Sequence, residues 1–334
     1  MSRLSDLAES RRQQIDEVAS AGAARVVRLW STADPADLDG EWDERAPRVV
    51  DHVAAAQLQA VSDASRTTAF ATTATVVSQA FTGVTREGRD VGAELFSAVT
   101  YTKSLIGRGL GVGQAFRAGT ALMSVLAANT IRDAGRSADG VVGVSSGRSH
   151  YVRVVQPGAC SRCAILAGST TYRTAFERHP ACKCSAMWVP DGSTPDGFYA
   201  SASDYFDSLS AVEQDRVFTK SGAWAIRNGA DPSKVVNARR GALSTTPDAP
   251  SVARLRPVTI GKRADGSPLQ VYATYEGTTA RSRWARQQGL DRTRRAGERY
   301  RRTSSLRLMP EQIMQMSNSV EHATELLRKY GYIR

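Results

Sequence analysis

The sequence predicts an α+β protein that is mainly helical, and three observations carry that prediction. Apolar residues recur at helical spacing through most of the first 140 residues. All four cysteines fall between Pro157 and Pro190, flanked by short segments that read as strands. Beyond residue 253, two alternating segments are followed by a run dense in arginine. The expected organisation is a helical docking region at 1–140, a small Cys/His metal-stapled α+β domain at 141–240 and a linker at 241–253. A tail at 254–334 then combines a hairpin, a basic helix and a terminal helix.

Within the first region, Ile15, Val18, Val26 and Leu29 define one face of a helix over 4–30, and Gly22 falls on the same stripe, where it lets a neighbour approach closely. Asp34-Pro35 reads as an N-cap and first helical position, and Pro47 as another. A second helix is expected to reach about Thr73, with Val50, Ala54, Leu58 and Val61 on one side. A third spans Arg89 to Ile106, carrying Leu95, Val99 and Ile106. The glycines of IGRGLGVG (106–113) match neither G-x-G-x-x-G nor G-x-x-x-x-G-K-[ST], so they predict a helix-to-helix joint rather than a phosphate loop. A fourth helix follows, with Ala118, Leu122 and Val125 inward, ending near Gly135.

From Val141 the texture changes. YVRVV (151–155) reads as a strand entering the cysteine stretch and CKCSAMWVP (182–190) as one leaving it. Ser210 and Glu213 form a capping box, and Asp231-Pro232 opens a further helix that Gly241 closes.

The cysteine stretch is where chemistry concentrates. C-x2-C at Cys160 and Cys163 allows two thiolates to converge on one cation. Fifteen residues later comes H-x2-C-x-C, formed by His179, Cys182 and Cys184. In an extended segment the last two side chains point the same way, and Pro180 biases His179 away from helix. Five candidate ligands compete for four tetrahedral positions. The favoured set is Cys160, Cys163 and Cys182 with either His179 or Cys184, around a structural zinc. Such an ion would contribute on the order of 10 kcal/mol to a small domain. The alternatives are thiols packed without metal, or two disulfides. The first twenty residues are polar and charged, without the apolar core of a secretory signal, so a reducing cytoplasm is expected, where structural disulfides are rare.

In the tail, RLRPVTI and LQVYATY form a hairpin about a loop containing Asp265-Gly266, with Val258 and Ile260 matching Val271, Ala273 and Tyr275. An isolated hairpin is marginal, so it is expected to dock on a neighbour. Ten arginines then lie between Arg281 and Arg307, against only Asp291 and Glu298. On a helix Arg281, Arg292, Arg295, Arg299 and Arg302 would share one stripe near Trp284, a pattern suited to salt-sensitive, sequence-nonspecific nucleic-acid binding or to docking on protein. Ile313, Met316, Val320, Ala323, Leu327 and Tyr330 predict one terminal amphipathic helix, entered at Met309-Pro310.

The whole chain carries a net charge of +11, which favours a polyanionic partner. No run approaches the ~18 apolar residues of a membrane span, so no membrane partner is expected. Nor is any catalytic residue assigned. Ser145, Ser146 and Ser149 adjoin His150 but lack a nucleophile elbow, and the loop acids Asp191 and Asp196 show no spacing suited to a metal-dependent nuclease.

Cys160, Cys163, Phe176, His179, Pro180, Cys182 and Cys184, read as CxxC followed by a hydrophobic residue and HPxCxC, resemble the MuF-like minor head proteins of tailed bacteriophages. The segments at 218–240, 254–279, 307–313 and 326–333 resemble the actinobacteriophage members, so that the likeness covers roughly the C-terminal two thirds. This resemblance implies a low-copy structural protein of head morphogenesis. It would sit in the virion interior after assembly in the host cytoplasm, with portal and capsid proteins as partners and packaged DNA within reach of the basic tail. A head-associated hydrolase, either a capsid maturation protease or a metal-dependent nuclease, is the alternative.

Overall fold

Helices α1 (Arg3–Trp30), α2 (Leu38–Ser62), α3 (Val91–Gly107) and the 34-residue α4 (Val112–Ser145) make up the N-terminal part of the protein in a computed structural model. The structure describes residues 3–62, 64, 76–155, 158–238, 255–262, 268–276 and 302–333. They divide into two compact units, residues 1–159 with 166–200, and residues 160–165 with 201–334. Among the described residues, no helix is long and apolar enough to cross a membrane.

The stripe expected of α1 is buried: Ile15, Val18 and Val26 face inward, and Leu29 packs at the edge of the same core. Gly22 does permit a close approach. A Cβ there would lie 2.7 Å from Ile131 of α4 and 2.9 Å from Ala56 of α2, so the three helices meet where one residue lacks a side chain. At the end of α1, Trp30 is fully buried and meets Trp42 of α2 edge-on, with ring centroids 6.0 Å apart. The joint between α3 and α4 lies where the glycines place it, with Gly109 at φ +90° and Gly111 as the cap of α4.

Several local expectations are corrected. Asp34-Pro35 forms a turn, in which the Asp34 carboxylate accepts from the amide of Ala36. The acceptor at the start of α2 is instead Asp37, which takes the amide of Gly40. Pro47 lies inside α2 rather than at its start; the helix continues past the missing N–H because Trp42 and Val49, on either side of it, are buried. The buried face of α2 is Val49, Val53, Ala56 and Ala60, one position round from Val50, Ala54 and Leu58, while Val61 of the expected stripe is buried. Small Ala56 and Ala60 admit α1 and α4, whereas Leu58 would hold them off and is exposed. The expected extension of α2 towards Thr73 lies outside the described residues beyond 64.

Likewise the buried face of α4 is Ala115, Gly119, Met123 and Ala127, with Leu122 packed at the edge of the core and Ala118 and Val125 beside the stripe, and the helix continues ten residues past Gly135. Gly135, Gly140 and Gly143 do not end it because each faces a large neighbour. A Cβ on Gly135 would meet Ile15, and one on Gly143 would collide with the indole of Trp188.

Trp188 belongs to a small antiparallel sheet of strands β1 (His150–Val154), β2 (Ser169–Thr171) and β3 (Ser185–Val189), in the order β2-β1-β3. Between β1 and β2 comes α5 (Ser161–Ala164), a single turn. In register, Val152 stands opposite both Ser169 and Met187. The inner face, Val152, Val154, Met187 and Val189, packs with Ala8 of α1. Sheet and helices therefore share a core.

The other unit contains helices α6 (Ala202–Asp207), α7 (Ala211–Phe218), α8 (Lys220–Arg227) and α9 (Pro232–Ala238). The capping box is present, with the Ser210 amide donating to the Glu213 carboxylate at 2.9 Å and the Glu213 amide donating to Ser210 Oγ at 3.4 Å. Pro232 opens α9 as expected; Gly241 and the linker lie outside the described residues.

Strands β4 (Leu255–Lys262) and β5 (Pro268–Glu276) form the expected hairpin, with Val258 opposite Val271 and a bulge between Thr259 and Gly261. Its neighbour is β6 (Arg302–Leu308), which pairs with the free side of β5. The expected helical stripe of the basic segment ends on Arg302, and the structure makes a strand from that residue onward. Pairing supplies β5 with backbone partners that a helix could not.

The single terminal helix is also corrected, being two: α10 (Pro310–Met316) and α11 (Val320–Lys329). Pro310 takes the first position of α10 as expected, and Ser319 starts α11 afresh by accepting the amide of His322. The break leaves Val320 exposed and lets Tyr332 become fully buried, where its hydroxyl donates to Leu308 O at 2.9 Å.

These contacts predict opposite effects for two substitutions in one helix. Gly143→Ala should destabilise by about 1–3 kcal/mol through overpacking against Trp188, despite alanine's better helix propensity. Gly113→Ala, where a Cβ would meet only the end of Arg117 at 3.6 Å, should be neutral or stabilising. Denaturant midpoints of the two variants at unchanged m-value measure the difference.

Candidate metal centre

The five expected ligands are delivered by two short turns. After β1, Cys160 caps α5, and its carbonyl accepts the amides of Cys163 and Ala164, both at 3.0 Å. One helical turn thus presents both thiols of C-x2-C. Cys160 is exposed and Cys163 buried.

The second turn is His179-Pro180-Ala181-Cys182, closed by the Cys182 amide donating to His179 O at 3.1 Å. Proline at its second position and φ +60° at Ala181 are the features of a type II turn, which normally places glycine third. Beyond it, Cys182 and Cys184 are buried while Lys183 turns outward and pairs with Asp16 of α1 at 2.9 Å. The alternation expected of an extended CKC segment is therefore present, although β3 itself begins only at Ser185.

The donors fall into two groups of three. The donor atoms of Cys160, Cys163 and His179 lie within 4.8 Å of one another, as do those of Cys163, Cys182 and Cys184. None of the four cysteines forms a disulfide. Cys163 belongs to both groups, whereas Cys160 and Cys182, which both expected ligand choices also contain, fall in different ones. His179 Nδ1 lies 2.7 Å from Pro180 O. With Nδ1–H donating there, Nε2 is the nitrogen left to bind, and ligating histidines are commonly oriented by such a bond.

Sequence reasoning missed the groups that hold the ligand segment in place. Arg136 of α4 donates through Nε to Cys184 O at 2.9 Å and through Nη2 to Cys182 O, while Nη1 pairs with Asp133 at 2.9 Å. Asp133 also receives Arg178 from the ligand loop. Arg86 donates to Phe176 O at 2.9 Å, and Arg153 donates to Glu177 O with its guanidinium 3.9 Å from the Phe176 ring centroid. Asn129 accepts the amide of Ala181 at 3.0 Å. Burial pushes the Arg136 guanidinium below its usual value, while the negative charges of Cys182 and Asp133 act in the other direction. The available signal was Arg132, Asp133, Arg136 and Asp139, charges that share faces with the apolar stripe of α4. Arg136 and Asp139 fall beyond the expected end of the helix near Gly135.

The other residues considered for chemistry are placed differently. Ser149 Oγ lies 2.8 Å from His150 Nδ1 and donates to Pro190 O at 2.7 Å. With its one proton directed at a carbonyl, the hydroxyl accepts from the ring, the reverse of a nucleophile facing its base. Asp191 is fully exposed, and its carboxyl is held below the usual range by bonds from Ser193. Of the basic candidates, Arg281, Trp284, Arg292, Arg295 and Arg299 lie outside the described residues. Arg302 opens β6 opposite Glu276 instead of extending a helical stripe.

Fold and site together define a mainly helical α+β protein with a thiol-rich candidate metal centre. No family model, curated protein or solved structure matches the chain.

The left-handed Ala181 predicts an ordered series. Glycine there should stabilise by about 0.5–1 kcal/mol by removing the Cβ strain, and valine should destabilise by more. Thermal melts should rank Ala181→Gly above the parent and Ala181→Val below it.

Proposed function

We propose that this protein is a structural, MuF-like minor component of a tailed-phage head, acting in head assembly near the portal, and that its cysteine cluster holds a structural zinc. One observation carries the reading. The residues by which the sequence resembles that family, Cys160, Cys163, His179, Cys182 and Cys184, are those whose donor atoms fall in the two groups that share Cys163.

The donor set fits zinc. Thiolate sulfur and imidazole nitrogen suit a borderline-soft ion in a tetrahedral shell, and a shell filled by protein leaves no open position for substrate. Bound zinc would supply a closed cross-link between the two turns. The chain's own residues would do the rest. Cys163 is the common donor, the Pro180-Ala181 turn orients Cys182, and Lys183 fastens the segment to Asp16. A nuclease needs carboxylates converging on a hard cation, and the two donor groups contain none. The helical region would dock on portal or capsid protein. The arginine run from Arg281 would meet packaged DNA or the inner shell, a role its charge supports.

Two measurements test this reading. Purified chain should carry about one zinc, with Cys163→Ser reducing it to near none and lowering the melting temperature; full thermal stability without metal would remove the structural role. Quantitative mass spectrometry of procapsids and mature particles, normalised to the portal, should find a few copies in both. Absence from both would overturn the head assignment. Capsid or scaffold cleavage that stops in the Cys163→Ser chain would replace it with a hydrolase.

A further inference from the structure

Helix α4 reaches the ligand segment through Asn129, Asp133 and Arg136, and it is Arg136 that bonds the main chain of the cysteines themselves. The Arg136 guanidinium is only 7% exposed, and all three of its nitrogens are engaged: two on the carbonyls of Cys182 and Cys184, the third on Asp133. Carbonyls two residues apart in an extended segment point the same way, as do the side chains. Fixing both carbonyls therefore fixes the relative direction of both thiols. Only a planar fork of N–H donors can do this from one side; an ammonium has no such geometry.

Phe176 completes the arrangement. Its ring centroid lies 5.5 Å from the Arg136 guanidinium and 3.9 Å from that of Arg153, so the hydrophobic residue ahead of HPxCxC is an aromatic platform for the fork.

We infer that Arg136 is the positioning residue of the metal centre, holding Cys182 and Cys184 in ligating geometry before the ion arrives. This rests on the zinc reading above. Preorganised donors lose less freedom on binding, so affinity and coordination geometry depend on Arg136 even though it touches no metal.

The test uses the full chain with zinc alone in competition with a chromophoric chelator, and with cobalt alone, whose thiolate charge-transfer and ligand-field bands report the coordination shell. Arg136→Met should weaken zinc binding about 10–100-fold and alter the cobalt spectrum, the range typical of groups that orient ligands. Arg136→Lys, which keeps the charge but not the fork, should recover only part of the affinity. The control is Arg11→Met, which breaks a buried ion pair with Asp139 on the same helix and has no bond to the cysteine segment. It should lose stability yet bind zinc and cobalt as the parent does.

Parent-like affinity in Arg136→Met, or equal losses in Arg136→Met and Arg11→Met, would overturn the inference while leaving the zinc reading intact. If Arg136→Met does not fold, Arg136→Lys decides, parent-like zinc affinity in that variant overturning the inference. A parent chain that binds neither metal would overturn both.

Discussion

Helices α1 and α4 approach along a seam where small residues and buried ion pairs alternate, and the helices and the small sheet of the first unit are arranged about that contact. Gly22 and Gly135 remove the side chains that would keep the helices apart, and Ile131 and Ile15 occupy the space. Between these points Arg132 pairs with Asp16 at 2.6 Å, and beyond Gly135 Arg11 pairs with Asp139 at 2.8 Å. Replacing such pairs with apolar residues is often neutral, whereas removing one partner strands a charge and costs about 3–5 kcal/mol. Their contribution is thus register more than net stability: a shift along the seam would unpair several charges at once. Burial drives the Asp139 carboxyl upward even with Arg11 beside it, which shows how fully this part of the seam is withdrawn from water.

The seam also explains why the cysteine segment does not stand as an island. Lys183 meets Asp16 on α1, and Arg136 on α4 binds the carbonyls on either side of Lys183. The two helices thereby hold opposite aspects of one tripeptide, its central side chain and its flanking main chain. The HPxCxC pattern has a physical reading at each step. Proline sets the second position of the turn, Ala181 bears the left-handed conformation, and the alternating cysteines face inward because the lysine between them has an outward partner.

Much of this was legible locally. The glycine on the stripe of α1, the joint at 106–113, the capping box at Ser210 and Glu213, and Pro310 at a helix start all rest on interactions within a few residues, or on a missing side chain. The grouping of Cys160, Cys163, His179, Cys182 and Cys184 was also readable, because ligand spacing reflects how turns present side chains.

What the sequence by itself determined was the type of most elements and the membership of the candidate site. Backbone propensity, capping and side-chain alternation act over short distances, and they needed no knowledge of the fold. Tertiary structure alone decided which of two adjacent stripes on α2 and α4 is buried, since that depends on how closely another helix approaches. It carried α4 through Gly135, Gly140 and Gly143, because helix-breaking by glycine is offset where Ile15 and Trp188 fill the space. It made a strand of Arg302–Leu308, because β5 offered an unpaired edge. And it brought Arg136 to the cysteines, a pairing 46 and 48 residues apart that no local spacing encodes.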